Sequence, residues 1–593
     1  MNDEQDSGPK PQVPGSKSAD GTSDATPRPN PDPSGLESRS SASEIAGETV
    51  DVVGEATGAF PRAEAVEREE RESTAKSAFM VGAGILLSRI IGVVRQRVFA
   101  HYLGTSDAMG AFSAAFRIPN FLQNVFGEGA LSASFIPVYA KLLAQGDKKE
   151  ASRVADAVLT LLALATSLIV LVGVLTTPFF VGLFAYSFDP ATRALTIQLV
   201  RIFFPGAALL VMSAWCLGVL NSHRRFFLSY TAPVVWNLAL IGTLIWFRRE
   251  DQFHLAMWAA WGSVLGSALQ FGVQMPTVLK LIRRLRPVLD ITTENVRTVL
   301  RNFFPVFMSR GVVQISAFVD AMLAGLISAQ AVAALNYAQS LYTLPVSLFG
   351  MSISAAELPA MSSALGSTKE IASQLRSRLD AGLRRIAFFI VPSVMAMMAF
   401  GDVMTGALYQ SGRFNQGDSK YVWGILAGST IGLLASTLGR LYASTYYALH
   451  DTRTPLLYAV IRVTLTTILG YLFAIPLPPA IGLDPKWGVA GLTASAGIAG
   501  WVEFALLRRS LNKRIGRTGL PLSYVARLWL AAAVGAGVGW AIKLSIGVQH
   551  PAIIAVLVLL PFGLIYFAVT AVLKVPELNA VLGRVLKIAG RRR

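Results

Sequence analysis

The chain has 593 residues, 53% of them hydrophobic and 15% charged, with a net charge of +17. A soluble domain carries about 25% charged residues, so this composition excludes a soluble enzyme and predicts an all-α polytopic membrane protein. A single cysteine, Cys216, excludes a disulfide framework and a multi-cysteine metal site.

The first 75 residues hold seven Lys/Arg against sixteen Asp/Glu and are rich in Pro, Ser and Gly. Such a stretch cannot bury enough apolar surface to order itself. It also lacks the basic-then-apolar layout of a signal peptide. A disordered cytoplasmic tail is expected over 1–75.

About fourteen apolar helices follow, each near the ~20 residues that cross a bilayer. The expected spans are 77–101, 108–140, 154–183, 194–221, 230–247, 254–279, 298–327, 330–362, 384–409, 421–448, 455–476, 487–508, 522–545 and 551–573. Loops after even-numbered spans are basic, as in "KLLAQGDKKEASR", "NSHRRF" and "STKEIASQLRSRLDAGLRR". Loops after odd-numbered spans, such as "HYLGTSD", are poor in Lys and Arg. The positive-inside rule then places both termini in the cytoplasm.

A repeat is legible beneath these spans. "SFIPVYAKLLAQGDKKEASR" (134–153) resembles "AELPAMSSALGSTKEIASQ" (356–374), and "LNSHRR" (220–225) returns as "LHDTRT" (449–454). The offset of 220 to 229 residues equals six helices, which keeps both copies in one orientation. Parallel repeats of this kind build two lobes around a central site. The expected organisation is a six-helix lobe over 76–290, a second over 291–510, a helix pair over 511–575 and a basic cytoplasmic tail over 576–593.

Charge inside a membrane survives only when paired or facing water, so it points to function. The first span carries Arg89, Arg95 and Arg97, and the second carries Arg117 and Glu128. Arg310 and Asp320 follow in the seventh, Glu357 in the eighth, Arg440 in the tenth, Arg462 in the eleventh and Glu503 in the twelfth. Arg97, near a helix end, is expected to snorkel to the interface. Arg89 sits mid-run and, with Arg95, is expected to face a lumen. The basic excess invites an anion, and the planar guanidinium fork suits phosphate.

The segments "SRIIGVVRQRVFAHYLG" (88–104) and "AFSAAFRIPNFLQNVFGEGALSASFIPVYA" (111–140) resemble the N-terminal signature of the MurJ (MviN) lipid II flippases. These belong to the multidrug/oligosaccharidyl-lipid/polysaccharide exporter superfamily, and the resemblance covers roughly 76–575. It implies fourteen helices with both ends inside. It also implies transport of an undecaprenyl-pyrophosphate-linked peptidoglycan precursor across the bacterial inner membrane. On this resemblance Arg89 and Arg95 match the cavity arginines that recognise pyrophosphate, and Glu128 matches a Gly-flanked glutamate. The Gly-rich "AAAVGAGVGWAIKL" (531–544) would form a groove for the lipid tail.

The chain departs from the family at several positions. Gly110 stands where many members carry Asp, and Gln123 where they carry Arg. Gln339-Ser340 replaces an Asp-Arg pair, and Thr343 replaces a nearby acid. Some members bind sodium through a helix 7 acid and helix 11 Asn/Asp. Asp320 matches the first, while Thr466 and Gly470 occupy the others. Arg462 lies about one turn from Thr466, so an Asp320–Arg462 ion pair is expected in place of bound sodium.

The leading expectation is therefore a lipid II flippase working by alternating access. Arg89, Arg95, Glu128, Arg117 and Arg310 are the expected substrate-binding residues. Neither cofactor nor metal is expected, and the partners are the lipid, the membrane and other cell-wall synthesis proteins, with no nucleic acid. An exporter of another lipid-linked oligosaccharide or amphiphile, or a non-transporting cell-wall scaffold, are the alternatives. A membrane glycosyltransferase or phosphatase would need clustered catalytic acids or histidines, which the sequence does not show.

Overall fold

The computed structural model describes residues 84, 86–282, 285–547, 549–579 and 583. Side chains of 128, 308–310, 312, 313 and 315–317 lie outside the description. The expected disordered tail over 1–75 and most of the basic C-terminal tail also lie outside it. The described chain is helical. Helix α1 covers 86–103. Then follow α2 (Asp107–Phe126), α3 (Glu128–Ala144), α4 (Lys148–Phe184), α5 (Pro190–Ser222), α6 (Phe226–Trp246), α7 (Gln252–Ile282) and α8 (Glu294–Ile327). The second half comprises α9 (Ala329–Pro345), α10 (Ser352–Ser362), α11 (Thr368–Tyr409), α12 (Gln416–Ala448), α13 (Arg453–Ala474), α14 (Gly488–Ile515), α15 (Leu522–Ser545) and α16 (Pro551–Val572).

Local chemistry sets these boundaries. Ser106 and Ser328 cap α2 and α9 with their hydroxyls. Reciprocal capping boxes, Ser367 with Glu370 and Asn415 with Asp418, open α11 and α12. The first of these revises one expectation. The basic stretch read as a loop before residue 384 is helical from Thr368, because the capping box starts α11 there.

Two expected spans are interrupted. The second breaks at Gly127, where a Cβ would lie 2.2 Å from the Gln123 carbonyl oxygen, so only glycine allows this turn. The eighth passes through a π-helical segment, Val346–Met351, immediately after Pro345. Proline removes a backbone donor, and π segments of this kind cluster at functional sites.

The repeat is visible in the turns. Arg224 and His450 both take positive φ, 59° and 57°. At each, the next amide bonds back to the helix: Arg225 N–H to Leu220 O and Asp451 N–H to Tyr446 O, both at 2.9 Å. That is the 6→1 closure of a Schellman turn.

Packing follows the same division. Helix α5 packs against α2, α3, α4 and α7, and α6 against α7. In the second half α12 packs on α11 and α14, and α13 on α14. The α15–α16 pair rests on α11. There, Gly539 admits the Phe400 ring and Gly535 packs against Phe562, so part of the glycine stripe is a packing face. Between the two sets run the contacts of α2 with α9 and of α3 and α4 with α8.

Among the described residues, ten helical runs are long and apolar enough to cross a membrane: α4, α5, α6, α9–α10 and α11 through α16. The expected spans that fall short contain α1, α2–α3, α7 and α8. These helices contribute polar side chains to internal cavities, so their surfaces are not wholly lipid-facing.

Candidate functional site

A cavity of about 960 Å³ lies between the two helix sets. Arg89, Arg95 and Gln96 line it from α1, and Arg117 and Asn120 from α2. The opposite wall is neutral, with Gln314 from α8 and Asn336, Gln339 and Ser340 from α9. Among the described residues, neither Arg89 nor Arg95 makes an ion pair with a carboxylate. Arg89 sits at the exposed margin of the cavity.

Arg95 is held by an aromatic ring. Its guanidinium lies 4.9 Å from the centre of Trp236 on α6. The indole N–H donates to the Ser263 carbonyl at 3.1 Å, and Phe116 packs 5.9 Å from the ring. Stacking holds one face of the guanidinium while leaving its in-plane donors directed along the edges. Next to it, Gln96 donates to Ser340 Oγ at 3.0 Å, which ties α1 to the neutral wall. Sequence reasoning missed Trp236, since one tryptophan among ten carries no signal without its partner.

One end of the cavity is sealed. Tyr337 OH donates to the Gly104 carbonyl at 3.0 Å, and Arg413 N–H to the His101 carbonyl at 2.9 Å. Thr105 bonds to Asp418, and Ser187 to the Gly325 carbonyl. Arg97 does not snorkel as expected. It donates to the Ala407 and Leu408 carbonyls, at 2.8 and 3.1 Å, in the last turn of α11. A cation at a helix C-terminus is favourably placed for the dipole. The other end is also bridged on one flank, where Asn124 donates to Gln314 at 3.2 Å and Phe126 packs 5.1 Å from Phe307.

The chain matches the family model for lipid II flippase MurJ over residues 99–559. The chain belongs to the MurJ family. A probable lipid II flippase MurJ from Rhizobium meliloti is 30% identical over 473 residues, covering 78% of this chain and 85% of that one. A lipid II flippase MurJ from Burkholderia cenocepacia is 30% identical, covering 74% and 84%. A solved lipid II flippase MurJ in an inward closed conformation matches with TM-score 0.69 at 23% identity, covering 84% and 98%. An inward-facing multidrug resistance MATE family transporter of the MOP superfamily matches with TM-score 0.57 at 15% identity, covering 72% of this chain and 95% of that one, a likeness of fold alone.

The structure explains two departures from the MurJ pattern. A Cβ at Gly110 would lie 2.1 Å from the Ala329 carbonyl oxygen, so α2 approaches α9 too closely for an aspartate there. At Gly470 a Cβ would crowd Leu492 at 2.9 Å and Leu323 at 3.0 Å. Among the described residues, Asp320 and Arg462 make no direct salt bridge of the kind expected. Arg462 Nε instead meets Glu503 Oε2 at 3.4 Å, because α14 carries Glu503 against α13. Asp320 Oδ1 is buried without a hydrogen-bond partner among the described residues, within electrostatic reach of Arg117 and Arg462. Arg310 lies within α8, and Glu128 opens α3 directly after the Gly127 break; their side chains lie outside the description.

Proposed function

We propose that this multi-pass membrane protein flips lipid II from the cytoplasmic to the outer leaflet of the bacterial inner membrane by alternating access. The observation that carries the reading is the cavity itself. Arg89 and Arg95 line a space of about 960 Å³, and among the described residues no carboxylate pairs with either. A diphosphate would meet permanently charged forks suited to bidentate bonding. With basic loops in the cytoplasm, the sealed end faces outward and both termini lie inside. Arg117 and Arg310 would add positive charge, and Glu128 would border the site.

The helices over 76–290 and 291–510 would act as two lobes, with 511–575 as an attached pair that accommodates the lipid tail. A ligand shifts such an equilibrium only by binding the two states unequally. The arginines must therefore grip the head group differently when the seal opens.

Complementation tests this reading. Cells depleted of their own lipid II flippase should grow with the intact chain and fail with Arg89→Ala or Arg95→Ala at equal expression. Growth with both variants would reject the arginine cavity as the transport site and favour a scaffold.

A further inference from the structure

A second cavity, of about 640 Å³, lies within the first helix set between α2, α3, α5, α6 and α7. It adjoins the arginine-lined cavity at Pro233, which faces both. Helix α2 connects them: Asn120 lines the first, and Gln123 and Asn124, a turn further on, line the second. No ionisable residue is among the described lining of this chamber. Its polar groups are amides and hydroxyls, including Ser132, Ser213, Gln270 and Gln274.

Gln274 has only 1% of its surface exposed. Its side-chain N–H₂ donates to Ser213 Oγ at 2.7 Å and to the Gln270 backbone carbonyl at 3.2 Å. A backbone carbonyl can only accept, so these bonds fix which end of the amide is nitrogen. The acceptor Oε1 is left without a hydrogen-bond partner among the described residues. Gln270 donates to the same hydroxyl at 3.0 Å, which braces both amides. A buried acceptor without a donor has lost its hydrogen bond to water with nothing in return. The chamber thus has an unsatisfied acceptor in its wall, covered in this structure, and adaptable hydroxyls around a space of ligand size.

We propose that this chamber is a saccharide subsite. It takes the N-acetylated sugar adjoining the diphosphate, with Gln274 Oε1 accepting from a sugar hydroxyl or acetamido N–H. The proposal rests on the lipid II reading above and adds where the neutral part of the head group goes. A peptide stem is a poorer occupant, because its carboxylates would find no cation among the described lining residues.

The test uses the full chain in lipid nanodiscs with three probes. These are undecaprenyl pyrophosphate, lipid II, and undecaprenyl-pyrophosphoryl disaccharide lacking the peptide. Gln274→Met removes the acceptor at similar length, and Ser132→Leu fills the chamber without touching the buried amides. Each should weaken binding of both sugar-bearing lipids by about tenfold and leave the bare pyrophosphate within about twofold. Arg95→Ala should weaken all three. Equal loss on the bare lipid, or no loss on any probe because the chamber holds only water, would overturn the subsite. Loss confined to lipid II would assign the chamber to the peptide and also overturn it. Failure of the unmodified chain to bind any probe would reject the lipid II reading itself, and the subsite with it, before any variant is compared.

Discussion

Replacing Gly110 with alanine should loosen the seal at the end of the cavity where α2 meets α9. The new methyl carbon would start 2.1 Å from the Ala329 carbonyl oxygen and 2.4 Å from its carbon. An ordinary C···O contact needs about 3.3 Å, so the two helices must part by roughly 1 Å. Both contacting atoms are backbone, and no rotamer change can relieve the overlap. Overpacking of this kind costs about 1–3 kcal/mol, and a state with α2 and α9 apart escapes it. The sealed-to-open ratio should therefore fall by about 5- to 150-fold.

Thiol labelling in sealed proteoliposomes can read this shift. Thr343 lines the cavity, and the native Cys216 is buried. Thr343→Cys should react slowly with an impermeant maleimide added from the sealed side, and faster when Gly110→Ala is present. Cys216 serves as an internal control, because its modification would report general unfolding. Unchanged labelling of position 343, with Cys216 still protected, would refute the seal.

Two further outcomes follow from the site and its supports. Trp236→Ala should weaken lipid pyrophosphate binding by about 2- to 30-fold, the range of a cation–π contact, while Trp236→Phe loses less; equal affinities for all three proteins would remove the ring's role in holding Arg95. In the loop before α8, hydrogen bonds from the Thr293 hydroxyl and the Thr292 N–H hold the Asp290 carboxyl below the usual range, and Arg153 pairs with it at 2.7 Å. A depressed folded pKa stabilises above the unfolded value and is lost as pH falls toward the folded one. Amide exchange over 286–293, corrected for intrinsic rate, should therefore quicken below about pH 4. Asp290→Asn should exchange fast already at pH 6, and a flat profile in the unmodified chain would discard the tie.

Much of the helical order was legible because apolar runs, caps and basic loops all act locally. The repeat could be read from "LNSHRR" and "LHDTRT", and the structure gives both segments the same left-handed turn at Arg224 and His450. The break at Gly127 was not legible, since its cause is one carbonyl in the preceding turn. The arginines could be marked as lumen candidates from the expense of exposing them to lipid, yet their partners are long-range. Arg97 bonds to carbonyls more than three hundred residues away, and Arg462 pairs with Glu503 where the family resemblance suggested Asp320. Gln270 and Gln274 stand four apart, a signal of a shared helical face. Charge marks a residue within an apolar run, whereas a neutral amide carries no comparable signal.

Neighbouring residues on α1 make contacts with different helix sets. Arg95 rests on Trp236, within the first helix set, whereas Gln96 donates across the cavity to Ser340 of α9. In a rocking cycle that parts the two sets, the Trp236 contact can travel with the arginine while the Gln96 bond must break. The diphosphate would then keep its main cationic partner through the transition, and the change in grip would come from the neutral wall and from Arg89 at the exposed margin. On that cycle, weakening the Gln96 bond would alter the balance between states without touching the charge proposed to recognise the ligand. On the proposed cycle, recognition and switching would use separate side chains one residue apart, and that separation would let a tightly held anion still be released.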